Sequence, residues 1–123
     1  MSARQRGQAT VELAIGLPVV LVGVLLVVQV GLVLADQVRV VQAAREGARV
    51  AAVDGRTGAA RHAALGAAGL TGSRTRVEVG GRGPPGSDVR VQVTYRAPTR
   101  VPLAGALLPD ITVRADATMR VER

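Results

Sequence analysis

The residues best placed to do chemistry lie near the start of the chain. Glu12 is the one carboxylate between Met1 and Ala35, and it stands directly before an apolar run, Leu13 to Ala35. That run carries no charge, and Gln29 is its only strongly polar side chain. Gly7 lies five positions before Glu12. An acid at the centre of a membrane-spanning helix costs about 2.5–3.5 kcal/mol on insertion scales, and less toward the ends. Two accounts of Glu12 follow. In the first, it sits in the first turn of a helix, where the macrodipole favours an anion by roughly 0.3–1 kcal/mol. In the second, a peptidase cuts after Gly7 and leaves Gln8 with a new α-amine. Such an amine has a pKa of about 8 and is mostly cationic at neutral pH. At about 4 Å and an effective dielectric of 20, opposite charges attract by about 4 kcal/mol before desolvation is subtracted. Glu12 of one subunit and the Gln8 amine of another would then set the stagger between packed apolar helices.

Other chemistry lacks its parts. The chain has no cysteine, and His62 is the sole histidine, so neither thiol chemistry nor a shared metal site is expected. His62 is expected at the surface. The serines, Ser2, Ser73 and Ser87, fall in a tail or in turn-like loops, without a base beside them. Most acids alternate with arginines on wet faces. The Gly80–Gly86 stretch is glycine-rich, but no Gly-Lys-Ser/Thr follows it and no helix opens after it, so it is expected to be a hairpin connection rather than a phosphate cradle. The expectation is a protein with no catalytic residues, no metal, no cofactor and no small-molecule substrate.

The formal charge is +7, with arginine supplying every basic side chain other than His62. The arginines are scattered from Arg4 to Arg123, interleaved with acids, and lack aromatic stacking partners, so no nucleic-acid partner is expected. With 123 residues, Tyr95 as the only aromatic and no disulfide framework, the soluble part is one small domain with a core of Val and Ala. It should lean on the long helix or on neighbouring subunits.

The elements that must position these residues can be placed from periodicity. Residues 1–7 form a short basic leader with Arg4 and Arg6. Residues 8–35 form the transmembrane helix; its uncharged run is about 23 residues, or roughly 35 Å, against a bilayer core of about 30 Å. Gly16, Pro18, Gly23 and Gly31 lie inside it. They either face lipid or let another helix approach closely, and Pro18 should kink or loosen the helix. The extracytoplasmic domain is expected over 36–123. Its first part, 36–53, continues the helix, with Val40, Ala43, Ala44, Gly47, Val50 and Ala51 on one face and Arg39, Gln42, Arg45, Glu46 and Arg49 on the other. Gly55 suits a left-handed stop. A short helix is expected over 57–70, with Thr57 as its cap.

From Arg74 the period becomes two. Val77 and Val79, then Val89 to Tyr95, then Ile111 to Val121, alternate with polar residues and predict antiparallel strands within 74–122. The apolar patch Leu103–Leu108, in the last connection, either folds over the sheet edge or contacts a neighbour. The fold class is α+β: a long N-terminal membrane-spanning helix continuing into an amphipathic helix, packed on a small antiparallel sheet of about three to four strands. Charge counting alone does not orient the span, because Arg4 and Arg6 precede it while Arg39, Arg45 and Arg49 follow. The compactness of the leading pair favours a cytoplasmic N-terminus.

Arg-Gly-Gln-Ala-Thr-Val-Glu-Leu-Ala, from Arg6 to Ala14, resembles the leaders of type IV prepilins. Val41–Arg49 resembles the segment after the span in TadE-like proteins, and Ala115–Val121 is similar to that family's C-terminal strand. The resemblance implies a minor pilin-like subunit of a tight-adherence (Tad/Flp) pilus or related secretion apparatus, single-pass in the cell membrane. It implies a prepilin peptidase as processing partner, Gly7 and Gln8 as the cleavage pair, and Glu12 as the assembly and processing residue. Its other partners would be membrane lipid, pilin-like subunits and the Tad secretion machinery. Gln8 stands where major pilins commonly have Phe. Two alternatives stay open: an unprocessed single-span anchor holding a small extracytoplasmic binding domain, and a secreted protein cut after Ala35.

Overall fold

The structure is a computed structural model that describes residues 2–101 and 108–122. The chain forms two compact units, Met1–Leu32 with Thr99–Pro109, and Val33–Pro98 with Asp110–Arg123.

Helix α1 runs Ala3–Val53, 51 residues, and takes in the stretch expected as a tail. The cause is a reciprocal cap on Ser2. The Gln5 N–H donates to Ser2 Oγ at 3.4 Å, and the Ser2 N–H donates to Gln5 Oε1 at 3.2 Å. This Ser-x-x-Gln box satisfies orphan donors at the helix start. Pro18 removes one backbone donor, yet the helix runs on through it. In the first unit most large aliphatic side chains of α1 are exposed, among them Leu13, Ile15, Leu17, Val19 and Val27, while Val22, Leu25, Leu26 and Leu32 are half-buried. Gln29 is buried, and Arg100 donates from Nη2 to Leu32 O at 3.3 Å. Of the apolar patch, residues 103–107 lie outside the described residues; Leu108 is half-buried.

In the second unit the later part of α1 buries Asp36, Val40, Ala43, Ala44, Gly47, Ala48, Ala51 and Ala52, one face at helical spacing. Val50, expected on that face, is half-buried. Helix α2 covers Thr57–Ala68 and a 3-10 turn covers Gly72–Arg74. Strands β1 (Thr75–Gly80), β2 (Asp88–Ala97) and β3 (Ile111–Arg120) form one antiparallel sheet in that order. Val89, Val91, Val93, Tyr95 and Val113 face the helices and are buried with Ala60 and Ala64 of α2. Ile111, at the strand's start, is exposed instead. Small residues set the closeness of the layers. A Cβ on Gly47 would lie 3.1 Å from Val91 Cγ1, 3.3 Å from Ala64 Cβ and 3.4 Å from Ala60 O. Gly47 is therefore where α1 meets both α2 and the sheet.

Two local expectations are corrected. Thr57 is the first residue of α2, not its cap; Arg56 holds the cap position, without a side-chain hydrogen bond. Gly55 is not among the glycines with positive φ, which are Gly69, Gly81 and Gly86. The end of α1 is closed by tertiary donors instead. Arg82 Nε donates to Ala51 O and the Glu122 N–H donates to Ala52 O, each at 3.0 Å. These bonds satisfy carbonyls that a left-handed glycine would otherwise have served. The left-handed stop occurs at α2, where Gly69 has φ 62°.

Candidate functional site

Gly7, Gln8 and Glu12 all lie within α1, and all three are exposed. Helical spacing places Gln8 and Glu12 one turn apart on the same side. Gln8 Nε2 donates to Glu12 Oε1 at 3.3 Å, so the carboxylate is held by a neutral amide. Thr10 Oγ1 donates to Arg6 O at 2.9 Å, closing the same turn. A Cβ on Gly7 would meet nothing within 4 Å, so the glycine fills no steric need of the folded chain. Glycine weakens a helix interior by about 1 kcal/mol relative to alanine, which makes this turn easier to open.

The first-turn account of Glu12 does not survive. The first turn of α1 carries no acid, because the helix begins at Ala3 rather than near Thr10. Glu12 is too far along for the dipole at Ala3 to matter, since that effect fades within about one turn.

The apolar stretch behind Glu12 is mostly exposed among the described residues. Among the described residues one helix is long and apolar enough to cross a membrane, with a mean hydropathy of 2.8 over its best window and only 6% of that window buried. A core helix of a soluble domain would be mostly covered. A Cβ on Gly16, Gly23 or Gly31 meets nothing within 4 Å, and Pro18 is exposed, so these positions present an open surface.

Asp36, the first residue after the apolar run, is buried in the second unit. Its side chain is 1% exposed, with Arg39 Nη1 3.8 Å from Oδ1. Its spacing from Val40 and Ala43 carries the signal: it falls on the buried face of α1. The helix continues without a break from Ala35 into Asp36.

His62, Ser87 and Asp54 lie in the second unit. His62 is exposed on α2. Ser87 Oγ donates to Pro84 O at 2.7 Å and accepts from the Gly83 N–H at 3.2 Å, which fixes the β1–β2 hairpin loop. After α1, Arg56 chelates Asp54, with Nη2 at 2.8 Å from Oδ2. This hydrogen bonding by Arg56 lowers the Asp54 pKa to about 2.

Residues 7–49 match the family model of TadE-like protein. The match takes in Gly7, Gln8, Glu12 and the α1 stretch through Arg49, and the TadE-like resemblance noted in the sequence holds over that segment. No curated protein and no solved structure matches the chain.

Proposed function

We propose that this chain, TadE-like over residues 7–49, is a minor pilin-like structural subunit of a Tad/Flp-type pilus or related secretion apparatus. It acts by assembly and has no chemistry of its own. A prepilin peptidase cuts between Gly7 and Gln8. The N-terminus faces the cytoplasm and the domain with the sheet is extracytoplasmic. Its partners are other pilin-like subunits, the Tad machinery and membrane lipid.

One observation carries the reading: an exposed apolar helical stretch headed by Gly7, Gln8 and a single carboxylate. Cleavage changes the setting of that carboxylate. Removal of residues 1–7 takes away the Ser2–Gln5 cap and brings the positive end of the helix to Gln8. Glu12, in the third turn of the uncut helix, then lies about one turn from a free α-amine. The amide of Gln8 is a weak neutral partner, and an α-amine from an adjoining subunit is a stronger, charged one. Large aliphatic side chains and the open positions Gly16, Gly23 and Gly31 supply the packing surface.

The unbroken helix across Ala35–Asp36 argues against secretion after Ala35. A cut there would leave a new charged amine at a position that is buried in the folded domain.

The test is assembly by Glu12 variants. Glu12→Gln and Glu12→Ala should insert in the membrane normally and fail to co-assemble with partner pilins. Gly7→Ala should accumulate with its leader attached. Normal pilus assembly by Glu12→Ala contradicts the ion-pair mechanism.

A further inference from the structure

The exposed face of the sheet is divided by charge along its strands. Strand register places Arg76, Thr94 and Arg114 in one cross-strand row, and Arg96 beside Thr112 in the next. Arg74 adjoins that second row, donating from Nη1 to Arg96 O at 3.4 Å. In the opposite direction come Glu78, Gln92 and Asp116, then Arg90 and Thr118, then Asp88 and Arg120. One end of the face thus carries four arginines against Asp110. The other carries three carboxylates against two arginines.

Helix α1 fixes which end is which. Gln37 Nε2 donates to Arg114 O at 3.2 Å, whereas the Glu122 N–H bonds Ala52 O at 3.0 Å. The basic end therefore lies beside Val33–Gln37, where the apolar run stops. The acidic end lies beside the C-terminus of α1.

The basic end holds an open concavity of about 480 Å³, whose lining includes Arg74, Arg76, Arg96, Thr94, Thr112 and Asp110. Arg74 pairs with Asp110 at 3.3 Å and Arg76 with Glu78 at 3.5 Å. Arg96 and Arg114 are exposed and make no ion pair among the described residues. Guanidinium groups beside threonine hydroxyls are a donor set suited to phosphate oxygens.

We propose that this end of the sheet binds anionic phospholipid headgroups of the membrane that α1 enters. Arg96 and Arg114 donate to the headgroup phosphates, with Thr94 and Thr112 as neutral donors. The proposal rests on the single-span reading above. Position favours lipid over a soluble anion: the patch lies beside the stretch where the chain leaves its apolar run, and the concavity is open rather than enclosed. Anionic lipid attracts basic residues within about a Debye length, about 8–10 Å, of the surface.

The chain has no cysteine, so a single introduced one can be labelled. The full chain is placed in nanodiscs of phosphatidylcholine, with or without phosphatidylglycerol, each doped with a headgroup-quenching lipid. A fluorophore on Ser73→Cys reports the basic end, and one on Thr118→Cys the acidic end. Phosphatidylglycerol should increase quenching at Ser73→Cys and not at Thr118→Cys. Combining Arg96→Gln with Arg114→Gln should abolish the increment, as should high salt. Equal quenching in the two lipid mixtures overturns the proposal, and so does an increment that survives in the double variant. Inorganic phosphate added to phosphatidylcholine discs should leave the Ser73→Cys label unchanged. A response equal to that from phosphatidylglycerol would assign the site to free phosphate and overturn the lipid source. A fluorophore on Leu21→Cys tests the span separately: it should be shielded from an aqueous quencher in both discs. If it is open to that quencher, the span reading fails whatever the Ser73→Cys label does.

Discussion

Leu13–Val28 and Asp36–Ala52 are successive stretches of one helix, and both are rich in apolar residues, yet they are covered in opposite ways. In the first, most large aliphatics are exposed, Leu13 by 65% and Val27 by 73%, while Val22, Leu25 and Leu26 are half-buried. In the second, Ala43, Ala44, Gly47, Ala48 and Ala51 form one narrow buried face, with Arg45 and Arg49 exposed opposite. Apolar content falls from the first stretch to the second, but it does not say which face is covered. Side-chain size and the placement of charge do. A helix that is bulky and apolar all round needs apolar surroundings from outside the chain. A helix with one face of small side chains needs a close partner inside it, and the sheet and α2 supply one.

The contrast is broken most severely by a change at glycine. Gly47→Leu should destabilise the domain by about 3 kcal/mol, because Val91, Ala64 and Ala60 already crowd the site. Gly23→Leu, at an open position, should leave the domain's thermal unfolding within about 0.5 kcal/mol of the parent. Circular dichroism melts of the full chain in micelles compare the two directly. A similar loss for both variants would erase the distinction between the stretches.

Removing core volume comes next. Val91 is fully buried, so Val91→Ala should cost about 2 kcal/mol in the same melts. Val27→Ala should leave them unchanged.

Arg82→Ala removes the side-chain donor to Ala51 O. A cost of about 1–2 kcal/mol is expected, with faster hydrogen exchange over the last turn of α1. Protection as strong as in the parent would mean that the Glu122 N–H closes the helix alone.

The smallest effect lies at Asp54, whose carboxyl is lowered to about 2 by Arg56. A carboxylate depressed in the folded state contributes its stability above its ordinary value of 3.8. That contribution fades as the pH falls from near 4 toward 2. Because the pair is exposed, Asp54→Asn should change the melting temperature little at neutral pH and flatten its decline in this acid range.

Much of this arrangement was legible in the residues. Alternation over Val77–Val79, Val89–Tyr95 and Ile111–Val121 marked the strands, although Ile111 is exposed, and the apolar face expected over 36–53 marked the helix that covers them. The misses have physical causes. The Ser2–Gln5 box is a local signal, hidden because the flanking arginines suggested a tail. Gly55 suggested a left-handed stop, but the donors that close α1 arrive from Arg82 and Glu122, distant in sequence. Asp36 directly follows the uncharged run, and only its helical phase with Val40 places it inward. At the candidate site, Gly7 and Glu12 were visible as a pair, whereas their enclosure in continuous helix depended on where that helix began.

The account rests on a leader that is removed. Intact mass and terminal sequencing of the chain purified from its native membrane measure this directly. The predicted first residue is Gln8. A native chain that still begins at Met1 or Ser2, or one that begins at Asp36, would contradict it.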